Sequence, residues 1–354
     1  MFQEFLEKHK ITDKTIAVGV SGGADSLGLL LMAFDELTPL GYKIVALTVD
    51  HGLRPSSSDE AMYVKKTAEK YGIRHHTLVW EGKKPQTGIE EAARVARYAL
   101  INDWCAQNNV HCVMMAHHLQ DQAETFLMRL YRGSGLNGLC GMQEVYPMGK
   151  IFILRPLLMT SPDVMKTYLK QKHIAWVEDE TNCDETLLRV KMRNFLQVME
   201  KNVGITPLMI AQTMFRLQSS KDYIETQIDQ IIKNHMQYLG PHVAFCRYDI
   251  INSNETEVLY RIIAAMVQQI GQLAYPPESQ KVLALLEKIK NRDFKSATLG
   301  HCQIILQAGY LWFAQERREA RRYTKKDWEN YVRESLPGFK RKIPAAVKKT
   351  LLSC

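Results

Sequence analysis

Residues 16–26 read IAVGVSGGADS, and an apolar run from Leu27 to Phe34 follows. Alternating and β-branched apolar residues stop at two adjacent glycines, and a helical pattern begins directly after them. That order predicts a strand, a tight turn and a helix start. Gly22 and Gly23 can take φ > 0 and let a ligand approach the backbone closely. The first N–H groups of a helix have no partner within it, so such a turn suits an anion. Ser21 and Ser26 add hydroxyls, and Asp25 can hold a magnesium ion or a polar ligand group. A plain strand–helix turn with a capping side chain is the competing reading. The whole hexapeptide Ser21–Ser26 sits at the first strand end of an α/β pattern, where open parallel sheets bind ligands. Phosphate binding is therefore the expectation.

The front half continues in the same rhythm. The patterns predict strands over 15–20, 43–49, 74–79 and 112–116. Helices are predicted over 24–36, 58–71, 89–107 and 121–132. Strands alternating with helices mean a parallel, doubly wound sheet with ligands at the carboxyl ends of its strands. Ser21, Asp50 and His117 fall at three such ends. Residues 133–160 read as loop-rich, with Gly133, Gly135, Gly138 and Gly141. Ser161 with Pro162 opens a helix over 162–172. Helical patterns dominate 186–236 and 254–291, and 296–314 alternates like strands around Gly300 and Gly309. The expected organisation is a catalytic domain over 1–199, a helical linker over 200–236 and a smaller α+β domain over 237–354.

Charge separates the two halves. Residues 1–200 carry 23 Lys and Arg against 24 Asp and Glu, and residues 201–354 carry 23 against 14. The tail concentrates the excess in Arg317, Arg318, Arg321, Arg322, Lys325, Lys326, Arg333, Lys340, Arg341, Lys342, Lys348 and Lys349. Trp312, Tyr323, Trp328, Tyr331 and Phe339 are interleaved. Catalysis in front and nucleic-acid grip behind is the reading, with a solvated basic helix as its rival. The 7 cysteines are scattered and form no C-x-x-C pair. That suggests reduced cytoplasmic thiols used mainly in packing. No apolar run reaches the roughly 18 residues of a membrane span, so no membrane partner is expected.

The turn is not a Walker A loop, because G-x-x-x-x-G-K-[ST] is absent. It resembles the PP-loop, SGGxDS, of the N-type ATP pyrophosphatases, which cleave ATP between the α- and β-phosphates. Further segments narrow the choice: VDHGLR at 49–54, GIEEAARVARY at 88–98 and AHHLQDQAETFLMRLYRGSGLNGLCGM at 116–142. RPLL at 155–158 and WVEDETNCDETLLRVKMR at 176–193 complete the series. Over roughly residues 15–198 this order is similar to the tRNA(Ile)-lysidine synthetase family. The resemblance implies a Rossmann-like PP-loop domain and ATP-dependent ligation of free L-lysine to C2 of the wobble cytidine of CAU-anticodon tRNA(Ile). Decoding then changes from AUG to AUA. ATP and Mg2+ would be needed, and the resemblance allows a homodimer.

Site roles follow from the resemblance. Ser21, Gly22, Gly23, Ala24, Asp25, Ser26, Asp50 and His117 would hold ATP, with Asp25 also on magnesium. Asp121 and Glu124 are three residues apart and share a helix face. The pair can take the lysine ammonium and later accept its proton, since attack needs the neutral amine. His118 beside His117 reads as close to phosphates or base, or as structural. Arg94 and Arg97 share a face, and Arg97 would stand near lysine. Arg189 and Arg193 would hold the cytidine and its phosphates, and Asp25, Asp121 and Arg189 would be catalytic. The sequence departs from the family pattern at Val190, where Asn usually follows the first arginine, and lacks the usual Pro near Gln197. Other readings are a PP-loop tRNA thiolase, which needs catalytic or cluster cysteines, and a nucleic-acid-binding protein with a vestigial ATP site.

Overall fold

A computed structural model describes residues 1–53, 57–82, 84, 85, 87–178, 187–273, 275–291, 293–316, 326, 329, 330 and 342–352. The chain divides into two compact units, Met1–Lys221 and Asp222–Cys354. The division falls inside the 200–236 stretch, within the helix Pro207–His235.

The first unit is built on six strands: β1 (Thr15–Gly19), β2 (Lys43–Asp50), β3 (Arg74–Val79), β4 (Cys112–Met114), β5 (Val145–Met148) and β6 (Ile151–Leu154). They lie in the order β3-β2-β1-β4-β6-β5, parallel throughout except for the antiparallel β5–β6 pair. The chain moves outward from β1 through β2 to β3, then returns to the other side of β1 with β4. A crevice opens where the strand order reverses.

The two-residue period of a strand explains the layers. Ile16, Val18, Ile44, Ala46, Cys112 and Met114 enter one core with α1 (Phe2–Lys8), α2 (Ala24–Leu37) and α3 (Ser57–Lys70). Their sequence neighbours Ala17, Val45, Leu47 and Val113 enter the core on the opposite face, with α4 (Ile89–Gln107). The remaining helices of this unit are α5 (Leu119–Tyr131), α6 (Leu136–Leu139), α7 (Pro162–Gln171), α8 (Leu188–Val203) and the first part of α9 (Pro207–His235). Ser161 caps α7 by accepting from the Asp163 N–H at 3.3 Å. Gly28 in α2 lets α7 approach, since a Cβ there would meet the Met165 Cβ at 2.6 Å.

Residues 133–160 contain more order than their glycines suggest. The β5–β6 hairpin turns at Gly149, whose φ is +61°. Pro147 is tolerated because β5 is the edge strand.

The second unit carries an antiparallel sheet in the order β7-β8-β11-β10-β9. Its strands are β7 (Gln237–Tyr238), β8 (Val243–Arg247), β9 (Ser296–Leu299), β10 (Cys302–Gln307) and β11 (Tyr310–Gln315). One face packs on α10 (Thr256–Gly271) and α11 (Ser279–Lys290), through Ala244, Ile304, Phe313, Ile263 and Leu286. The other packs on α12 (Ala345–Leu351), through Phe245, Trp312 and Val347.

Trp312 corrects the reading of the aromatic tail. It is fully buried and stacked on Phe245 at 4.6 Å, because its place in β11 faces the core. Tyr323, Trp328, Tyr331, Phe339 and most of the tail's basic residues lie outside the described residues. Of the basic side chains, Lys326, Lys342 and Lys349 are exposed.

Candidate active site

β1 ends at Gly19, and the Val20 N–H still bonds to the Leu47 carbonyl at 2.8 Å. The chain then turns through Gly22, whose φ of +92° suits glycine. The Gly22 carbonyl accepts from the Val177 N–H at 3.0 Å, which ties the turn to the segment after α7. Gly23 is the N-cap of α2, and no side chain caps that helix. The N–H groups of its first turn therefore remain for a ligand. Ser26 Oγ braces the loop: it accepts from the Ser21 N–H at 3.1 Å and donates to the Gly23 carbonyl at 3.1 Å.

A cavity of about 370 Å³ opens on this loop. Its polar wall includes Ser21, Asp25, Thr48, His51, Arg97 and His117. Leu47, Val49, Ile101 and Met115 supply apolar wall that suits the flat faces of a base. Arg97 thus stands on the cavity, its Nη2 3.5 Å from His51 Nε2. Arg94 lies over the Tyr98 ring at 5.4 Å. Burial, with Arg97 nearby, pushes the His51 imidazole down to about 4. Asp50, at the end of β2, is not among the residues that line this cavity. Its carboxylate accepts from the Gly52 N–H at 2.9 Å and the Ser58 hydroxyl at 3.1 Å, so it shapes the turn after β2. His51, the next residue of the same motif, is the one that lines the cavity.

A second cluster of charges adjoins the loop through His118. That side chain is largely buried, with Nε2 3.4 Å from Asp25 Oδ2 and 3.4 Å from Asp121 Oδ2. Burial opposes its positive charge, but Asp25, Asp121 and Glu124 outweigh burial and raise its pKa. Asp121 also accepts from the His118 backbone N–H at 2.9 Å, closing the start of α5. Burial opposes the Asp121 charge in turn, and His118, Arg189 and His117 outweigh it, so its carboxyl is held low. Glu124 is 0% exposed. Its two oxygens accept from Arg189 Nε at 2.7 Å and Arg193 Nε at 2.7 Å. Arg189 also donates through Nη2 to Asp121 Oδ1.

The structure thus brings together Asp25, Asp121, Glu124, Arg189 and Arg193, all singled out from sequence. His118 was singled out but not as the bridge, while His51 in the wall and Arg155 behind His117 were missed as site residues. The first two lay inside recognised motifs, and Arg155 opens RPLL. The Gly133–Gly135 turn closes α5, with the Ser134 N–H bonding to the Arg129 carbonyl at 3.0 Å. Among the described residues, five cysteines are free and buried: Cys105, Cys112, Cys140, Cys246 and Cys302. Burial pushes the Cys105, Cys112, Cys246 and Cys302 thiols up to about 12. Such thiols are poor nucleophiles and poor metal ligands. Among the described residues no helix is long and apolar enough to cross a membrane.

The family described as the PP-loop domain matches residues 1–200. A tRNA(Ile)-lysidine synthase of Wolbachia pipientis wMel is 31% identical over 310 residues, covering 86% of this chain and 71% of that protein. The tRNA(Ile)-lysidine synthase of Hyphomonas neptunium is 32% identical over 317 residues, covering 87% of this chain and 83% of its own. Among solved structures, the U34-tRNA thiolase of Methanococcus maripaludis with its [4Fe-4S] cluster superposes with a TM-score of 0.50. It is 18% identical and covers 61% of this chain and 79% of that one, a likeness of fold. With that loop, that strand order and those relatives, the chain belongs to the tRNA(Ile)-lysidine synthase family of PP-loop proteins.

Proposed function

We propose that this protein ligates L-lysine to C2 of the wobble cytidine of a CAU-anticodon tRNA(Ile), using ATP. ATP adenylates the cytidine O2 and releases pyrophosphate. The lysine side-chain amine then attacks C2 and expels AMP. The net change to the base is the gain of one lysine and the loss of one water. The observation that carries this reading is the Asp25–His118–Asp121 bridge, which joins a phosphate loop to a paired-carboxylate site.

The triphosphate rests on the N–H groups of Ser21–Ser26, with its base against the apolar wall of the cavity. Asp25 Oδ1 is buried without a hydrogen-bond partner among the described residues, which fits one carboxylate ligand of a magnesium ion. Bound there, magnesium would neutralise phosphate charge. Asp121 and Glu124 receive the lysine ammonium. Both hold arginines when no lysine is bound, so the ammonium competes with Arg189 and Arg193 for their oxygens. The arginines released from the carboxylates are then available to the cytidine and its phosphates. The carboxylates also accept the proton that the amine must lose before it attacks. Arg97, on the cavity wall, lies near enough to steer the lysine carboxylate or a phosphate. The basic back half grips the tRNA through phosphates, which positions the substrate without reading it.

A sulfur-transferring reaction is the other PP-loop reading. It needs an accessible thiolate, and the described cysteines are buried. The test is mass spectrometry of a CAU-anticodon tRNA(Ile) transcript incubated with the protein, ATP and lysine. One lysine less one water gained at the wobble cytidine, with AMP formed, supports the assignment. Product formed without lysine overturns it.

A further inference from the structure

We propose that Arg155 is a positioning residue. By donating to His117 Nδ1 it fixes that imidazole as the Nε2–H tautomer, so that His117 meets the ATP phosphates as a neutral donor. The proposal rests on the adenylation reading of the cavity, because His117 lines the same cavity as Ser21 and Asp25.

Arg155 follows β6 and is only 6% exposed. Its Nε lies 3.3 Å from His117 Nδ1, and its Nη1 donates to the Gln143 carbonyl at 3.0 Å. Its guanidinium carbon lies 5.9 Å from the centre of the Tyr146 ring. Its backbone N–H bonds to the Glu144 carbonyl at 2.8 Å. The side chain is thus anchored at both ends of its guanidinium. A guanidinium only donates, so His117 Nδ1 must accept. A neutral imidazole that accepts at Nδ1 carries its proton at Nε2. Nε2 is then the donor that His117 offers to a ligand in the cavity.

The surroundings of His117 favour the neutral ring. Burial opposes a positive charge there, as do Arg155, Arg189 and Arg94, while Asp121 favours it. The balance holds its pKa far below the ordinary histidine range. His118, the next residue, lies between Asp25 and Asp121 and is pushed the other way. Two adjacent histidines are therefore pushed in opposite directions by their different partners. A ring that already accepts from Arg155 at Nδ1 has no lone pair left to take a proton from lysine. Proton acceptance then falls to the carboxylates, and His117 is left with hydrogen-bond donation.

The test uses the full chain labelled with 15N. Ring-nitrogen shifts report tautomer and charge directly, and His117 is assigned among the 11 histidines by its loss in His117→Gln. The wild-type ring is expected as neutral Nε2–H between about pH 5 and 8. An imidazolium or an Nδ1–H ring in that interval overturns the proposal, with no variant needed. Arg155→Lys should leave a mixture of tautomers that titrates in the same interval, because one ammonium cannot span both acceptors. A thermal melt checks that this variant is folded, and a folded variant with an unchanged His117 ring overturns the positioning role. AMP formation gives the second readout. Gln can place an N–H near the Nε2 position and Asn cannot. His117→Asn should lose about 10²-fold in kcat, as for one removed transition-state donor, and His117→Gln clearly less. Equal losses would count against the donor role. Failure of the wild type to form AMP would defeat the adenylation reading alone, since the spectra judge the tautomer without ATP.

Discussion

Replacing Glu124 by Gln tests whether the carboxylate cluster holds the first unit together as well as binding substrate. Glu124 is fully buried, and each oxygen takes one charge-assisted hydrogen bond, from Arg189 Nε and Arg193 Nε at 2.7 Å each. Gln keeps one acceptor oxygen. Its amide N–H groups then face the other arginine, donor against donor. A hydrogen bond to a charged group contributes about 1.5–3 kcal/mol. The Arg189 and Arg193 side chains are 43% and 31% exposed, so water recovers part of the loss. A net destabilisation of about 1–2 kcal/mol follows. In a unit the size of Met1–Lys221 that corresponds to a fall in Tm of about 2–8 °C. The melt is followed by circular dichroism on the full chain, in parallel with steady-state AMP formation at varied lysine and varied ATP. The lysine KM should rise more than the ATP KM. An unchanged Tm would refute the energetic argument, and a rise confined to the ATP KM would refute the assignment of the pair to lysine.

Asp25→Ala and Ser26→Ala should each lose about 10²–10³-fold in turnover, and ADP with phosphate as products would overturn the PP-loop reading. Asp121 contributes stability that is complete above the unfolded carboxyl pKa of about 3.9 and is lost as pH falls through its lowered folded value. Asp121→Asn should therefore flatten the acid limb of a stability–pH curve below about pH 4, and an unchanged limb would show that other groups set it. Gly28→Ala should destabilise by about 1–3 kcal/mol, because its Cβ would meet Met165 at 2.6 Å in the α2–α7 packing. An unchanged urea midpoint would refute that reasoning. Replacing Arg317, Arg318, Arg321 and Arg322 together by Gln should weaken tRNA binding and reduce its salt slope by about 0.7–0.9 per lost phosphate contact. An unchanged slope would leave these arginines as a solubilising face.

The first unit was legible because its central strands β1, β2 and β4 are apolar and buried in succession, and helices such as α2 and α4 run for 14 and 19 residues. β3 and α4 lie where the pattern puts them, at Arg74–Val79 and Ile89–Gln107. The two hairpins were not legible. β5 is four residues long with a proline inside it, and β7 is two residues long. β8 is buried at Val243, Ala244, Phe245 and Cys246 in succession, so no alternation marks it. The N-terminal α1 spans only seven residues, and the burial of Phe2, Phe5 and Leu6 fixes it more than helical propensity does.

The site was legible as a set of residues and not as a set of partners. Spacing places Asp121 and Glu124 on one face of α5, but spacing cannot say that α8 brings Arg189 and Arg193 to them. Net charge hides the same fact. The first 200 residues are nearly neutral overall, yet Arg97, Arg155, Arg189 and Arg193 gather with Asp25, Asp121 and Glu124 around one crevice. A reaction that joins a polyanionic nucleotide, a polyanionic RNA and an amino acid bearing both charges needs both signs close together. Unpaired carboxylates would repel the ATP phosphates, and unpaired arginines would repel the ammonium. Pairing the two sets before substrates arrive limits both penalties. At the proposed lysine site it would also make binding an exchange of one cation for another, a coupling that only the folded arrangement reveals.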